Sequence, residues 1–416
     1  MGTVLVKLKG FQKLTLVDQA LQTWFSVLKI GKPTVNSVPL QEALDRVLAE
    51  DLIAPEDLPR FDKSAMDGYA VKSADLAGAS QTKPAILQLI QTDKVEAKQA
   101  KQVWTGNPIP NGADAVVMLE NTQKLGGELE VWSQLAPSTN VSKVGEDIKK
   151  GEVIANTGTR INPYHIGLAA ALGLTQLKVA EKPRVAILAT GNELVELGTK
   201  RAANQIYDSN KVMVSAMCQE LGAETVDLGL AKDNTEEIAQ KIQSALQKCN
   251  AVITTGGTSV GGLDLVPDAV NRLGKPGVIV HGVALRPAMP TAVAMLEGKP
   301  VLILSGNPVA AIIGFEVFGR PLICRMLGME KEEPRPVVKA VLARRVTSVL
   351  GRKTYVRVHV VSKEGELSAE PVSAKGSGSI STMTQSNGYV IVPENREGVT
   401  EGETVAVHMF SSLEGA

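Results

Sequence analysis

The chain has 416 residues, too many for one ordinary core, so two to four domains are expected. Lysine plus arginine (44) balances aspartate plus glutamate (44) and no long basic run stands out, which argues against nucleic acid as the main partner. No run of about eighteen apolar residues is present to span a membrane, and MGTVLVKLKGFQKLTL lacks the features of a secretory signal, so a cytoplasmic location is expected. Cys218, Cys249 and Cys324 fall in predicted helices without metal spacing and read as reduced core thiols.

In chain order, residues 15–30 place Val17, Leu21, Trp24 and Leu28 at helical spacing. A second helix is predicted over Leu40–Ala49, with Ala43, Leu44, Val47 and Leu48 on one face. The polar segment FDKSAMDGYAVK, residues 61–72, carries Asp62 and Asp67 around Ser64 and reads equally well as a hairpin entry. Short β-like runs then alternate with turns from Ala70 to about Asn140, with Thr105 and Gly106 at one turn. Glu146 and Asp147 sit in a further turn, where solvation alone would explain them, and a helix is predicted over Pro163–Leu172.

Residues 179–326 alternate strand and helix. Strands are predicted over Arg184–Thr190, Thr225–Leu230, Ala251–Thr255, Val278–Leu285 and Val301–Leu304. Helices are predicted over Asn210–Leu221, capped by Asp208 or Ser209, over Thr235–Cys249, and over Leu265–Leu273. This pattern means a doubly wound, mostly parallel sheet whose ligands bind beyond the strand carboxyl ends. At those ends lie ATGNEL (Gly191, Glu193), QIYDSN (Asp208, Ser209, Asn210), GGTSVG (Gly256, Gly257, Ser259, Gly261) with Asp264 just beyond, and SGNP (Ser305, Gly306, Asn307).

Two glycine-bearing strand-to-helix turns describe an anion pocket, since exposed backbone N–H groups and helix N-termini favour negative charge. Either turn alone could serve only to turn the chain, and neither matches a Walker or GxGxxG pattern. The tail, residues 333–416, reads as strands of a separate small β domain holding a glycine-serine loop, KGSGSISTM.

FDKSAMDGYAV, TGNPIPNGADAVVMLE, GEDI, ATGNEL, QIYDSN, GGTSVGGLD and SGNPVAA together resemble, in order and across the whole chain, the MoeA/gephyrin-type molybdopterin molybdenumtransferases. The resemblance implies an elongated, L-shaped homodimer of four domains. These are a helical and extended linker domain (1–60 and 141–178), an inserted β-rich domain (61–140), a MogA-like α/β domain (179–326) and a C-terminal β-barrel-like domain (327–416). It also implies that the FDKSAMDGYAV region of a partner subunit faces the α/β site.

The implied reaction converts adenylylated molybdopterin and molybdate, or tungstate, to molybdenum cofactor and AMP. Glu193, Asp208 and Asp264 would hold Mg²⁺, with the glycine turns on the phosphates. Asp67, Thr105 and Asp147 match further site positions, and Arg357 and Ser379 match the oxyanion-contacting region. A MogA-type adenylyltransferase or a molybdoenzyme apoprotein would be the protein partner.

The chain departs from the family where KPGKP is usual and Arg286-Pro287-Ala288-Met289-Pro290 stands instead. Arg286 keeps a cation, although a planar fork is not an ammonium, and Met289 removes one. Gly262 stands where a charged residue is common, and Asn192 where aspartate is. The competing readings are a non-catalytic molybdopterin-binding or delivery protein and the preceding adenylyltransferase step.

Overall fold

A computed structural model describes residues 14–258, 264–329, 335–363, 365–372 and 376–412. They divide into two compact units. One comprises residues 37–44 and 50–178. The other comprises the chain up to residue 36, residues 45–49 and residues 179–416.

The first unit is built on a six-stranded sheet in the spatial order Ala115–Met118, Gly68–Val71, Gln99–Val103, Ala85–Ile90, Glu128–Val131, Thr122–Leu125. All its pairings are antiparallel except that of Ala85–Ile90 with Gln99–Val103. Tyr69, Val71, Leu87, Val117 and Leu129 fill one face, while Ala70, Val103 and Val116 pack on the other. This two-faced burial explains the unbroken apolar run GYAV, in which all four residues are buried. A Cβ on Gly68 would fall 2.0 Å from the Val117 carbonyl oxygen, so the glycine is demanded by close backbone approach.

In the second unit, the α/β part holds a six-stranded sheet ordered Glu224–Ala231, Arg184–Thr190, Ala251–Thr255, Lys299–Leu304, Ala292–Leu296, Gly277–His281. The first four run parallel, and only Ala292–Leu296 opposes the rest. Apolar clusters lie on both faces, as the continuous apolar strands require. Trp24 of the Val17–Val27 helix is fully buried against this sheet, its indole N–H donating to the Ala294 carbonyl at 3.0 Å. The helix that follows SGNP runs from Pro308 to Met326 with a π turn at Phe315–Gly319.

The tail closes a barrel of Lys353–Lys363, Glu366–Pro371, Val337–Leu342, Thr404–Met409 and Gly388–Val392, the last pairing back onto the first. Leu285–Arg286, a strand of the α/β portion, adds in parallel to Lys353–Thr354 of this barrel.

Several sequence expectations are corrected. Leu40–Ala49 is not a helix: a 3₁₀ turn covers Leu40–Glu42, and Asp45 takes φ 60°, which an α-helix cannot hold. Ala43, Val47 and Leu48 are nevertheless buried, and Leu44 is exposed. The run Val278–Leu285 splits, because its end leaves one sheet for the barrel. The helix beginning at Thr235 ends at Leu246, so Cys249 lies beyond it, although it is buried like Cys218 and Cys324.

Trp24→Ala removes a fully buried indole, its hydrogen bond to Ala294 and its ring contacts with Phe25 and Phe318. Chemical denaturation is expected to show a loss of about 3–5 kcal/mol, with Trp24→Phe losing clearly less.

Candidate active site

At the carboxyl ends of the parallel strands the two glycine turns meet. Gly256 and Gly257 take φ 89° and 64°. A Cβ at Gly256 would lie 2.4 Å from the Thr190 carbonyl oxygen, and one at Gly257 would lie 2.5 Å from Val266 Cγ2. Gly256 N–H donates to the Leu304 carbonyl at 3.1 Å, and a Cβ on Gly306 would sit 3.5 Å from Gly256 Cα. Gly256 and Gly257 are therefore demanded by Thr190 and Val266 beside them, while the Gly306 turn lies against Gly256 in ordinary van der Waals contact.

QIYDSN is tied to the same place, since Asn210 Nδ2 donates to the Gly306 carbonyl at 2.8 Å. Ser209 holds the N-cap position of the Asn210–Glu220 helix, and the capping bonds come from Asp208, whose Oδ1 accepts from the Asn210 and Lys211 backbone at 3.1 and 3.2 Å. Glu193 is exposed, and its carboxylate folds back over Gly191, where an added Cβ would lie 2.8 Å from both oxygens. Asn192 accepts from the Asp233 N–H at 3.2 Å, bracing this loop.

Thr190 Oγ1, Thr254 Oγ1, Thr258 Oγ1, Asp208 Oδ2, Asn210 Oδ1 and Asp264 Oδ1 are buried without a hydrogen-bond partner among the described residues. Each unmade bond costs about 1–3 kcal/mol, so their gathering at one end of the sheet points to a polar ligand that completes them. Asp208 is 3% exposed, and burial raises its pKa against the opposing pull of the Lys211 N–H. Asp264 precedes the Leu265–Leu273 helix, with its Oδ1 3.7 Å from His281 Nε2. Burial lowers the His281 pKa more than the charges of Asp264 and Asp268 raise it. Sequence reading gave His281 no place in the site.

The orphaned oxygens of Asp208 and Asp264 suit a hard divalent ion. Among the described residues, however, no three His, Cys, Asp or Glu side chains form a ready-made metal group. This donor set fits an ion such as Mg²⁺ only when ligand phosphates and water complete its shell.

A cavity of about 430 Å³ adjoins the SGNP turn. Arg286, Arg352 and Arg357 line it together with Met289, Ser305, Asn307, Thr354, Tyr355 and Ser377. No acidic side chain lines it among the described residues, and none of the three arginines forms an ion pair there. Arg357 is half-buried with Nε unpartnered among those residues, and desolvation lowers its pKa. The pairing of Leu285–Arg286 with Lys353–Thr354 is what brings Arg286 to the barrel arginines.

From the glycine-serine loop it is Ser377 that lines the cavity, not Ser379, and the Ser377 carbonyl accepts from Val309 N–H at 3.1 Å. Arg352 was missed because it belongs to no motif and stands in the turn before a strand. Ala288 is buried at φ 90°, a left-handed conformation that a side chain strains.

In the other unit, Asp67 Oδ1 accepts from the Thr105 N–H at 2.8 Å and from its hydroxyl at 2.7 Å, which lowers the Asp67 pKa. Asp147 lies exposed in the same unit, its N–H on the Leu58 carbonyl. Ser259 and Gly261 fall outside the described residues.

Comparison with known proteins gives three family matches: the MoeA N-terminal region (domain I and II) over residues 15–173, the probable molybdopterin binding domain over 186–325, and the MoeA C-terminal region (domain IV) over 339–410. A Methanocaldococcus jannaschii protein, provisionally tied by its name to molybdopterin biosynthesis, is 40% identical over 90% of this chain and 92% of its own length. The molybdopterin molybdenumtransferase of Haemophilus influenzae is 34% identical over 97% of this chain and 100% of its own. The crystal structure of the molybdopterin biosynthesis MoeA protein from Pyrococcus horikoshii OT3 matches with TM-score 0.83 at 30% identity, covering 96% of this chain and 100% of that one.

Because burial raises the Asp208 pKa, the native state binds its proton more tightly than the unfolded state does. That charge therefore costs stability as pH rises from the ordinary aspartate range through the raised value. Asp208→Asn should be more stable than the parent at neutral pH in urea unfolding, with the difference vanishing in acid below the aspartate range.

Proposed function

The chain belongs to the MoeA family of molybdopterin molybdenumtransferases, and from that membership we propose that it inserts molybdate into adenylylated molybdopterin with release of AMP. The observation that carries this reading is the junction of two anion sites. Ser305 and Asn307 line the arginine cavity, and Gly306 between them packs on the phosphate-type turn at Gly256. A tetrahedral dianion and a phosphoanhydride would thus be held side by side.

The chain's own groups divide the work. Arg286, Arg352 and Arg357 neutralise the metalate, with Ser305 and Ser377 as hydroxyl partners. Backbone N–H groups of the glycine turns and the hydroxyls of Thr190 and Thr258 take phosphate oxygens. Asp208 and Asp264, with Glu193, would hold Mg²⁺ against the anhydride. When bound, such an ion withdraws charge from the departing phosphate. We further propose a homodimer, which a sedimentation measurement of the full chain would show.

Mixing the protein with adenylylated molybdopterin and Mg²⁺ tests the function. AMP release should be stimulated by molybdate or tungstate over the reaction without metalate. Binding without metalate-stimulated release would leave a carrier, and formation of the adenylylated compound from ATP would make it the preceding enzyme.

Arg357→Ala should raise the metalate concentration for half-maximal AMP release on the order of tenfold or more, since a hydrogen bond to a charged group contributes about 1.5–3 kcal/mol. Met289→Lys should lower that concentration, because a further cation joins the cavity. An unchanged value in both variants would remove the arginine cavity from metalate binding.

A further inference from the structure

Lysine is seldom buried, yet the Lys211 side chain is only 6% exposed. Its Nζ donates to both Glu196 oxygens at 3.1 and 3.2 Å and lies 2.9 Å from Asp227 Oδ1. The two carboxylates are well exposed, so water could satisfy them, and the lysine bears the desolvation cost of the trio. An apolar side chain of similar length in such a place often costs nothing in stability. The trio is better explained by what it holds in place.

The sheet is bulged at the same point. Arg184–Thr190 pairs in parallel with Glu224–Ala231, Ile187 opposite Asp227 and Ala189 opposite Leu230, so Leu228 and Gly229 together face Leu188. Gly229 sits in this bulge at φ 71°, its N–H donating to Asp227 Oδ1 at 2.7 Å. Bulges re-aim side chains beside functional sites, and this one fixes Asp227 against Lys211. On the other side, Glu196 follows a two-strand ribbon in which Leu194–Val195 pairs with Ile206–Tyr207. Glu193 precedes one of these strands and Asp208 follows the other. Ile206 N–H donates to the Glu193 carbonyl at 2.8 Å, and Asp208 N–H to the Val195 carbonyl at 3.2 Å. Lys211 thus reaches Asp208 by two routes: its own N–H donates to Oδ1 at 3.2 Å, and its ammonium holds Glu196, the neighbour of Val195.

From this arrangement we infer that Lys211 is a positioning residue for the divalent ion. Through Glu196 it locks the ribbon, so that Glu193 and Asp208 are held ready for the ion, and Asp227 on the bulge keeps the ammonium in place. The inference rests on the function proposed above for the choice of a phosphate-bound divalent ion. The near end of the ribbon is tied separately, Asn192 N–H donating to Asp233 Oδ2 at 3.4 Å and Asp233 N–H to Asn192 Oδ1 at 3.2 Å. Glu193 therefore lies between two anchors, of which Lys211 supplies the second. The charge of Lys211 acts the other way, since an ammonium near the ion repels it. Positioning and charge thus predict opposite signs when the lysine is removed.

The test uses the full chain with Mn²⁺ as the ion and AMP supplying phosphate oxygens. Bound Mn²⁺ is read from loss of the free ion's paramagnetic resonance signal, and amide hydrogen exchange is followed over residues 192–208. Lys211→Met leaves two carboxylates that water can satisfy, so Ala251–Thr255 should stay as protected as in the parent. It should speed exchange in the ribbon and weaken Mn²⁺ on the order of tenfold or more, as loss of a group that orients metal ligands does. Lys211→Arg can still fork onto Glu196 and should stay within about threefold of the parent. Glu196→Gln cuts the same link from its exposed end and should loosen the ribbon likewise. Faster exchange with Mn²⁺ affinity unchanged or tightened in Lys211→Met would overturn the inference. So would equal weakening in Lys211→Arg and Lys211→Met, or a parent that binds no Mn²⁺ beside AMP.

AMP release is measured separately. Mn²⁺ affinity lost in Lys211→Met without any metalate-stimulated AMP release from the parent would support this clamp and sink the transferase reading. Release with Mn²⁺ affinity independent of Lys211 would do the reverse.

Discussion

The chemistry of the larger unit depends on one short strand pairing. Leu285 and Arg286 leave the α/β sheet and add in parallel to Lys353 and Thr354 of the barrel, with Lys353 N–H on the Ala284 carbonyl at 2.9 Å. Without that splice Arg286 would belong to one sheet and Arg352 and Arg357 to another. With it, three guanidinium groups line one cavity beside the SGNP turn. The Ser377 carbonyl on Val309 N–H and the Lys353–Asp18 ion pair at 2.9 Å brace the same arrangement from other directions. The cost is visible at Ala288, which holds φ 90° in the segment between the splice and the sheet.

Sheet topology accounts for the rest of the site. Parallel strands that end together must turn into helices on one side, and every such turn exposes backbone N–H groups there. Glycine at 256 is what lets its turn lie on the Thr190 carbonyl, with the Gly306 turn in contact beside it. The polar groups left unsatisfied there, Asp208 Oδ2 and Asp264 Oδ1 above all, are costs tolerated only where a ligand offsets them.

Much of this was legible because it is local. Continuous apolar runs ending at glycine gave the strands Arg184–Thr190 and Ala251–Thr255 with the bounds the structure shows, and the Leu265–Leu273 helix likewise. Two-residue periodicity could not reveal that Leu285–Arg286 would change sheets, since the partner strand lies far along the chain. Arg352 escaped notice for the same reason: nothing near it in sequence marks it, and only the barrel's closure places it in the cavity. In the segment Leu40–Ala49 the helical period was real as a burial pattern, for Ala43, Val47 and Leu48 are buried. The left-handed Asp45 broke the helix that the pattern implied.

The half-buried Arg357 head, stripped of part of its water and without a carboxylate partner among the described residues, has a thermodynamic consequence. Filling the cavity with any doubly charged tetrahedral anion relieves mutual repulsion among three cations, so folding and anion binding are linked. Sulfate and phosphate share the charge and shape of molybdate, and each would stabilise the chain in proportion to the logarithm of its concentration over its dissociation constant. A cavity of charge alone is therefore a poor judge of which oxyanion it holds. Discrimination has to be made by distance, through the longer bonds of a heavy-metal oxyanion reaching hydroxyls that a smaller one leaves unmet.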